Sequence, residues 1–320
     1  MFQNLTRLLS FLSALNTTNY VGVISPGYNV KPEAYINITK AIVSKAETLN
    51  IGVDMFIANV TQPTLTDYKN ALNDVFDYIH SVYDTNSEIF FVGHSAGAFF
   101  GMEHSIKYSN YTIQIGSVLN SAGKLFWDKG NLLSYPRPIM TILGENDGFL
   151  PWTLGNYEIN SIDEFINNFG YNYISRWKPV VILEGLNHMA VADNKITESA
   201  KAHNKKDMNC SYNLNTIHII LSNYIINFIT QNTSSIIIDL DNTRKKLKMY
   251  NKISNKAFIN EKISYLQNVI SNNVYKVYNI FHTDFDNFSQ YFCVVDWLGT
   301  RSSPKISIKI VKISKINSKT

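Results

Sequence analysis

A chain of 320 residues, 45% hydrophobic and 17% charged, has room for one large α/β domain with something smaller beside it. Its two cysteines, Cys210 and Cys293, exclude a disulfide framework and a cysteine metal site, and no apolar run reaches the length of a membrane span. The net charge of +4 is uneven: 14 Lys/Arg against 6 Asp/Glu follow residue 233, giving +8 there and −4 before it.

Chain order gives three regions: a segment over 1–19, a main domain over 20–233 and a basic accessory module over 234–320. In the first region one Arg precedes the short run Leu8 to Leu15. That run is at the lower limit for a signal-peptide core, and the small-x-small cleavage pattern is poor. Leu8, Leu9, Leu12 and Leu15 stand at helical spacing, so a helix packed on the domain is expected, and a cytoplasmic location is favoured over secretion.

From Tyr20 strands and helices alternate. Strands are expected at 20–27, 52–60, 88–92, 111–119, 138–144 and 179–185, and helices at 32–49, 65–84, 96–108 and 214–230. Repeated strand–helix units with near-continuously apolar strands imply a doubly wound, mostly parallel sheet covered on both faces. After Asn232 a Lys-rich helical stretch is followed by shorter β-like pieces, which read as a small α+β module. Its charge suits a solvated face, or weak contact with a membrane surface. No nucleic-acid partner is expected.

"IFFVGHSAGAFF" (89–100) carries the chemistry. Gly93-His94-Ser95-Ala96-Gly97 falls where a buried strand meets a helix, so that Ser95 would stand on a sharp turn at the carboxyl edge of the sheet. A serine hydroxyl needs a histidine to take its proton and a carboxylate to orient that histidine. Later strands supply both in order: "GENDGFLP" (144–151) offers Asp147, with Glu145 as the reserve, and "EGLNHMAVAD" (184–193) offers His188. Two backbone N–H groups should hold a developing oxyanion, one from Ala96 and one from Tyr28 in "ISPGYN" (24–29). His94 reads as structural.

These motifs resemble the nucleophile turn, acid loop and histidine loop of the α/β-hydrolases, and "PGYNVKPEAY" resembles the oxyanion loop of a dienelactone-hydrolase-like branch. The resemblance covers roughly residues 20–232. It implies an α/β-hydrolase sheet, an esterase or lipase activity through an acyl-enzyme, and neither metal nor organic cofactor. Two departures stand out. Pro26-Gly27 replaces the His-Gly of many members, and with only about 19 residues ahead of the first strand, the usual leading hairpin should be truncated or missing.

Few residues separate strands 111–119 and 138–143, so no large cap is expected there. The insertion 152–178 holds Trp152, Tyr157, Phe165, Phe169, Tyr171, Tyr173 and Trp177, rings that either pack a helix on the sheet or line an acyl pocket. Phe149 and Leu150, beside Asp147, are better placed to face the site. "IIIDLDNT" (236–243) also resembles, as a strand followed by Asp239 and Asp241, the nucleophile motif of haloacid-dehalogenase-type phosphatases, but lacks a second acidic pair. A non-catalytic binding protein on the same fold is the alternative to a hydrolase acting on small-molecule or lipid esters.

Overall fold

The computed structural model describes residues 9–15, 18–84, 86–119, 132–150, 152, 156–193, 207–256, 291–300 and 303–312. Two compact units divide it, residues 1–244 and 245–320. In the first, strands β1 (Leu9–Phe11), β2 (Tyr20–Ser25), β3 (Val53–Ile57), β4 (Glu88–His94), β5 (Tyr111–Ile115), β6 (Ile139–Gly144) and β7 (Val180–Leu183) form one sheet in the order β1-β3-β2-β4-β5-β6-β7. All pairs are parallel except β1 with β3. This is a doubly wound, mostly parallel sheet covered on both faces, with one antiparallel strand at its edge.

Helices α1 (Ile36–Thr48), α2 (Leu65–Val82), α3 (Ala96–Phe100), α4 (Met102–Tyr108), α5 (Asn156–Trp177) and α6 (Leu214–Ile229) cover the sheet, and α7 (Ser234–Lys256) follows. One face buries Ile24, Met55, Phe90, Val92, Ile113 and Ile142 with Ile42 of α1 and Ile225 of α6. The other buries Val21, Val23, Phe56 and Phe91 with Leu72, Val75 and Phe76 of α2. Strands apolar on both sides are what a sheet sandwiched between helices requires.

The segment after Leu8 is a strand and not the expected helix. Leu9, Ser10 and Phe11 pair with Ile57, Phe56 and Met55, and Leu9 and Phe11 pack on the core while Ser10 faces solvent. The open edge of β3 outcompetes a helix too short to bury its stripe. Asp54 holds the segment down, accepting from the Ser13 N–H (2.7 Å), the Thr18 hydroxyl (2.9 Å) and the Tyr83 hydroxyl (2.8 Å). A truncated or missing leading hairpin was expected, and among the described residues β1 is the one strand that precedes β2.

The first turns of α7 belong to the first unit. Ile236 and Leu240 are buried, and the Thr243 hydroxyl accepts from the Ile182 N–H at 2.9 Å. The stretch 236–243 is therefore helical and not a strand, which removes the phosphatase-like reading. Asp239 accepts from the Tyr224 hydroxyl and Asp241 from the Tyr171 hydroxyl, so each has a structural partner. The second unit contains the antiparallel pair β8 (Tyr291–Thr300) and β9 (Ser303–Lys312). "VYKVYNIF" lies outside the described residues. No described helix is long and apolar enough to cross a membrane.

One part of the sheet is polar where an apolar face was expected. On the α2 side, Thr112 and Gln114 of β5 and Thr141 of β6 are buried. The Gln114 amide donates to the Thr141 hydroxyl (2.6 Å) and to Glu158 Oε1 of α5 (3.2 Å), which also accepts from the Leu119 N–H (2.6 Å). Burial pushes the Glu158 carboxyl up to about 7 against the pull of these hydrogen bonds. A carboxyl raised on folding gives stability that is complete below its unfolded value and is lost as pH rises through its folded value. Glu158→Gln, which keeps the accepting oxygen, should therefore raise the melting temperature more at pH 8 than at pH 5, by about 2–4 °C for each kcal/mol recovered. Thermal melts of both proteins at the two pH values check this; an equal shift at both contradicts it.

Candidate active site

β4 ends in the Gly93–Gly97 turn, and Ser95 takes φ +51° and ψ −121°, a left-handed conformation that costs a non-glycine residue of order 1–3 kcal/mol. Two close approaches enforce it. A Cβ on Gly93 would lie 2.3 Å from Ala98 Cα, and one on Gly97 would lie 2.2 Å from the Ser25 carbonyl oxygen. The turn therefore packs directly against the end of β2. The Ser95 N–H donates to the Ile115 carbonyl at 2.9 Å, which ties the turn to β5 as well. Ser95 is half-buried.

β6 and β7 deliver the next two residues to the same edge. Asp147 and His188 are both buried, and His188 Nδ1 lies 2.7 Å from Asp147 Oδ2. The other oxygen, Asp147 Oδ1, accepts from the N–H groups of Phe149 (2.8 Å) and Leu150 (2.7 Å). One oxygen is thus fixed by its own loop while the other orients the imidazole. Nδ1 carries the proton in this arrangement and Nε2 is left to act as a base. Glu145 takes no part in the pair. Burial pulls the His188 imidazole down, but the charge and hydrogen bond of Asp147 and the charge of Asp207 push it up, and the net direction is upward. The Phe149 ring sits 5.1 Å from the His188 ring, so an aromatic wall stands beside the base.

Ser95 follows His94 directly, and the His94 ring lies 4.9 Å from that of His188. Among the described residues the Ser95 hydroxyl makes no hydrogen bond, to His188 or otherwise. Such nucleophile–base contacts are often long before substrate binds. The candidate donors lie close by. Ala96 opens α3, where its N–H has no acceptor within the helix. Tyr28 lies in a turn closed by Val30 N–H to Gly27 C=O at 3.2 Å, and it is exposed. The Pro26 carbonyl would be 2.4 Å from a Cβ on Gly97, so this loop rests on the serine turn.

Three residues that sequence spacing passed over shape the site. His94, expected to be merely structural, is fully enclosed and links two loops. The Gly27 N–H donates to the Tyr35 hydroxyl (2.7 Å), which lies 2.8 Å from His94 Nδ1, while His94 Nε2 lies 2.9 Å from the His188 carbonyl oxygen. A carbonyl only accepts, so Nε2 carries the proton and Nδ1 accepts from Tyr35. Burial, aided by the neighbouring His188, pulls His94 down to about 3, so it stays neutral. Asp207 accepts from three backbone N–H groups of the acid and histidine loops. Gly116, at the end of β5 with φ +57°, lies under the Asp147–His188 pair: a Cβ there would be 3.0 Å from His188 Nδ1 and 3.3 Å from Asp147 Oδ2. A glycine just past a strand in this fold was a readable signal. Asp207 had none, because it follows a loop rather than a strand.

The aromatic insertion divides. Phe169, Tyr173 and Trp177 of α5 are exposed and pack on each other, with neighbouring ring centres 5.3 and 5.9 Å apart. Tyr171 instead joins Asp241 and Arg244 of α7. Tyr157 and Phe165 lie outside the described side chains. Among the described residues no cluster of His, Cys, Asp and Glu could hold a metal ion.

No family model and no curated protein matches the chain. Solved structures similar to it include Est1E from Butyrivibrio proteoclasticus, with 11% identity, a TM-score of 0.44, and 70% of this chain and 94% of that one covered. A dienelactone hydrolase from Anabaena variabilis has 12% identity, a TM-score of 0.42 and coverage of 69% and 92%. A monoglyceride lipase variant from Saccharomyces cerevisiae has 11% identity, a TM-score of 0.42 and coverage of 68% and 90%. Identities this low leave the chemistry to be argued from the residues themselves.

Gly116→Ala is expected to force the Asp147–His188 pair apart by a few tenths of an ångström. The low-field proton resonance of His188 Nδ1–H should weaken or move upfield while the far-ultraviolet circular dichroism stays that of the parent. An unchanged resonance in a folded variant contradicts the packing described.

Proposed function

We propose that the protein is a serine-dependent hydrolase of carboxylic esters. The observation that carries this reading is the buried Asp147–His188 hydrogen bond at the sheet edge where Ser95 is held in a strained turn.

Ser95 Oγ attacks the ester carbonyl as its proton passes to His188 Nε2. Asp147 keeps Nδ1–H directed away from the serine and stabilises the imidazolium that forms. The N–H groups of Ala96 and Tyr28 take the oxyanion, each such donor contributing a factor of about 10²–10³ in rate. Collapse of the tetrahedral adduct breaks the bond to the alcohol oxygen, which leaves with the proton from His188. A water molecule then gives a proton to His188 and attacks the acyl carbonyl, and the acid departs as Ser95 regains its proton.

The surroundings support an apolar substrate. Phe149 stands against His188, and Phe99 and Phe100, half-buried on the helix that follows Ser95, pack edge to face at 4.9 Å. Phe100 also packs on Tyr68, whose hydroxyl donates to the Pro26 carbonyl of the oxyanion loop at 2.9 Å. An aromatic ring against the imidazole, with further rings on the helix that follows Ser95, suits an acyl or aryl ester better than a charged one.

Two measurements test the reading. A fluorophosphonate probe should label the wild type and not Ser95→Ala; labelling of both, or of neither when both are folded, defeats it. His188 must be neutral to accept a proton, and against the pull of burial the Asp147 carboxylate holds the imidazole above its ordinary range. The rate of hydrolysis of a nitrophenyl ester should therefore fall with a slope of one as pH drops, through a midpoint on the alkaline side of an ordinary imidazole. A rate that is flat from pH 8 to pH 5 contradicts the assignment of the base.

A further inference from the structure

We propose that Asp207 is a positioning residue that locks the acid and base turns together and biases the charge on His188. The inference rests on the hydrolase reading above, and it concerns a carboxylate outside the Ser-His-Asp set. Its Oδ1 accepts from the Gly148 N–H and the His188 N–H, both at 3.1 Å, and its Oδ2 accepts from the Met189 N–H at 3.1 Å. One side chain thus holds the residue after Asp147, the residue that carries the imidazole, and the residue after that.

The segment that bears it is stitched to the same two turns. The Asn187 amide donates to the Met208 carbonyl (2.8 Å) and the Asn146 amide to the Asn209 carbonyl (3.0 Å). The Ser211 N–H donates to the Gly185 carbonyl at 2.9 Å. Those bonds are between neutral groups, two from a side-chain amide to a backbone carbonyl and one between backbone groups. Among the described residues of this segment that bond to the two turns, Asp207 is the one that brings a charge. The acid and base turns come from different strands and are joined at their base by the Asn146 N–H to the Leu186 carbonyl (2.9 Å). Asp207 adds a second bridge, at the residues next to the two side chains themselves.

The charge acts on the reaction as well as on the geometry. Among the described residues the titratable groups set against His188 are Asp147 from the β6 turn, Asp207 from the returning chain and the neutral His94 from the serine turn. Asp147 contributes directly through Nδ1, and Asp207 contributes through space and through the backbone. When His188 takes the serine proton, a second carboxylate stabilises the imidazolium without competing for the ring. Its own carboxyl is raised by burial, with the N–H groups of Gly148 and His188 drawing it back.

The test follows the pH dependence of fluorophosphonate labelling in the full chain for wild type, Asp207→Asn, Asp207→Glu and Ser95→Ala. Asn keeps an oxygen for Gly148 and His188 but removes the charge. Its acid limb should move to lower pH by about half a unit or more, and its plateau rate should fall. Glu keeps the charge but displaces the carboxylate by one methylene, so its acid limb should stay near that of the wild type while its plateau falls. An Asn variant with the wild-type acid limb and plateau overturns the proposal, and so does a Glu variant with an unchanged plateau should Asn fail to fold. Absence of labelling in the folded wild type, or labelling of Ser95→Ala, strikes instead at the hydrolase reading.

Discussion

The site depends on one buried hydrogen bond between a carboxylate and an imidazole, Asp147 with His188 at 2.7 Å. Two groups this deep in the protein lose their hydration, and their attraction repays that loss only when the remaining lone pairs and protons are satisfied. The surrounding structure meets that demand atom by atom. Phe149 and Leu150 N–H groups occupy the second carboxylate oxygen, Asp207 occupies the His188 N–H, and His94 occupies the His188 carbonyl. Gly116 leaves the space into which the pair fits. Among the described residues His188 Nε2 has no hydrogen-bond partner, which leaves it open to take a proton in the reaction proposed above.

A second constraint joins the far side of the site. The chain Gly27 N–H to Tyr35 hydroxyl to His94 to the His188 carbonyl runs from the loop after β2 through the serine turn to the histidine loop. Each of its polar atoms has the role its neighbour requires, which fixes the His94 tautomer without any charge. Because the Gly27 N–H is engaged by Tyr35, the proposed oxyanion donor of this loop falls to the next residue, Tyr28. The close contact of Gly97 with Ser25 and Pro26 brings that loop beside Ala96. Pro26-Gly27, which departs from the His-Gly common among the proteins this sequence resembles, is thereby accommodated: Tyr68 binds the Pro26 carbonyl and Tyr35 binds the Gly27 amide.

Much of this was legible in the sequence because its physics is periodic or local. Apolar runs separated by helical spacing give the sheet, and strand β4 running into Gly93–Gly97 gives the turn. The structure brings Asp147 and His188 into contact because a parallel sheet sends every strand end to one edge. What was not legible depends on contacts between distant segments. Residues 8–15 carry helical spacing and also a short period of two, and only the unpaired edge of β3 decides for a strand. Asp207, His94 and Tyr35 reveal nothing by spacing, since each acts through a backbone group in another loop. The polar patch of Thr112, Gln114, Thr141 and Glu158 interrupts strands that otherwise read as wholly buried, and a carboxyl on α5 has no sequence mark that aims it into the sheet. The helix after Asn232 continues the first unit to Arg244 because Ile236, Leu240 and Thr243 seat on it, while composition alone puts the change of texture eleven residues earlier.

The two carboxylates near His188 illustrate why position matters more than charge count. Asp147 touches the ring, and its second oxygen is held by amides of its own loop, so it sets orientation. Asp207, among the described residues, bonds to backbone N–H groups of that loop and of the histidine loop, which is the basis for proposing that it helps set the distance over which the first carboxylate acts. Exchanging their places would give the ring an acceptor on a returning segment, with no strand end to fix it. A carboxylate that orients a base belongs at the end of a strand, where the sheet limits its motion; one that ties two strand ends together belongs on the chain that crosses them. The fold assigns Asp147 and Asp207 to these two kinds of location, and the burial of the imidazole between them follows from that division.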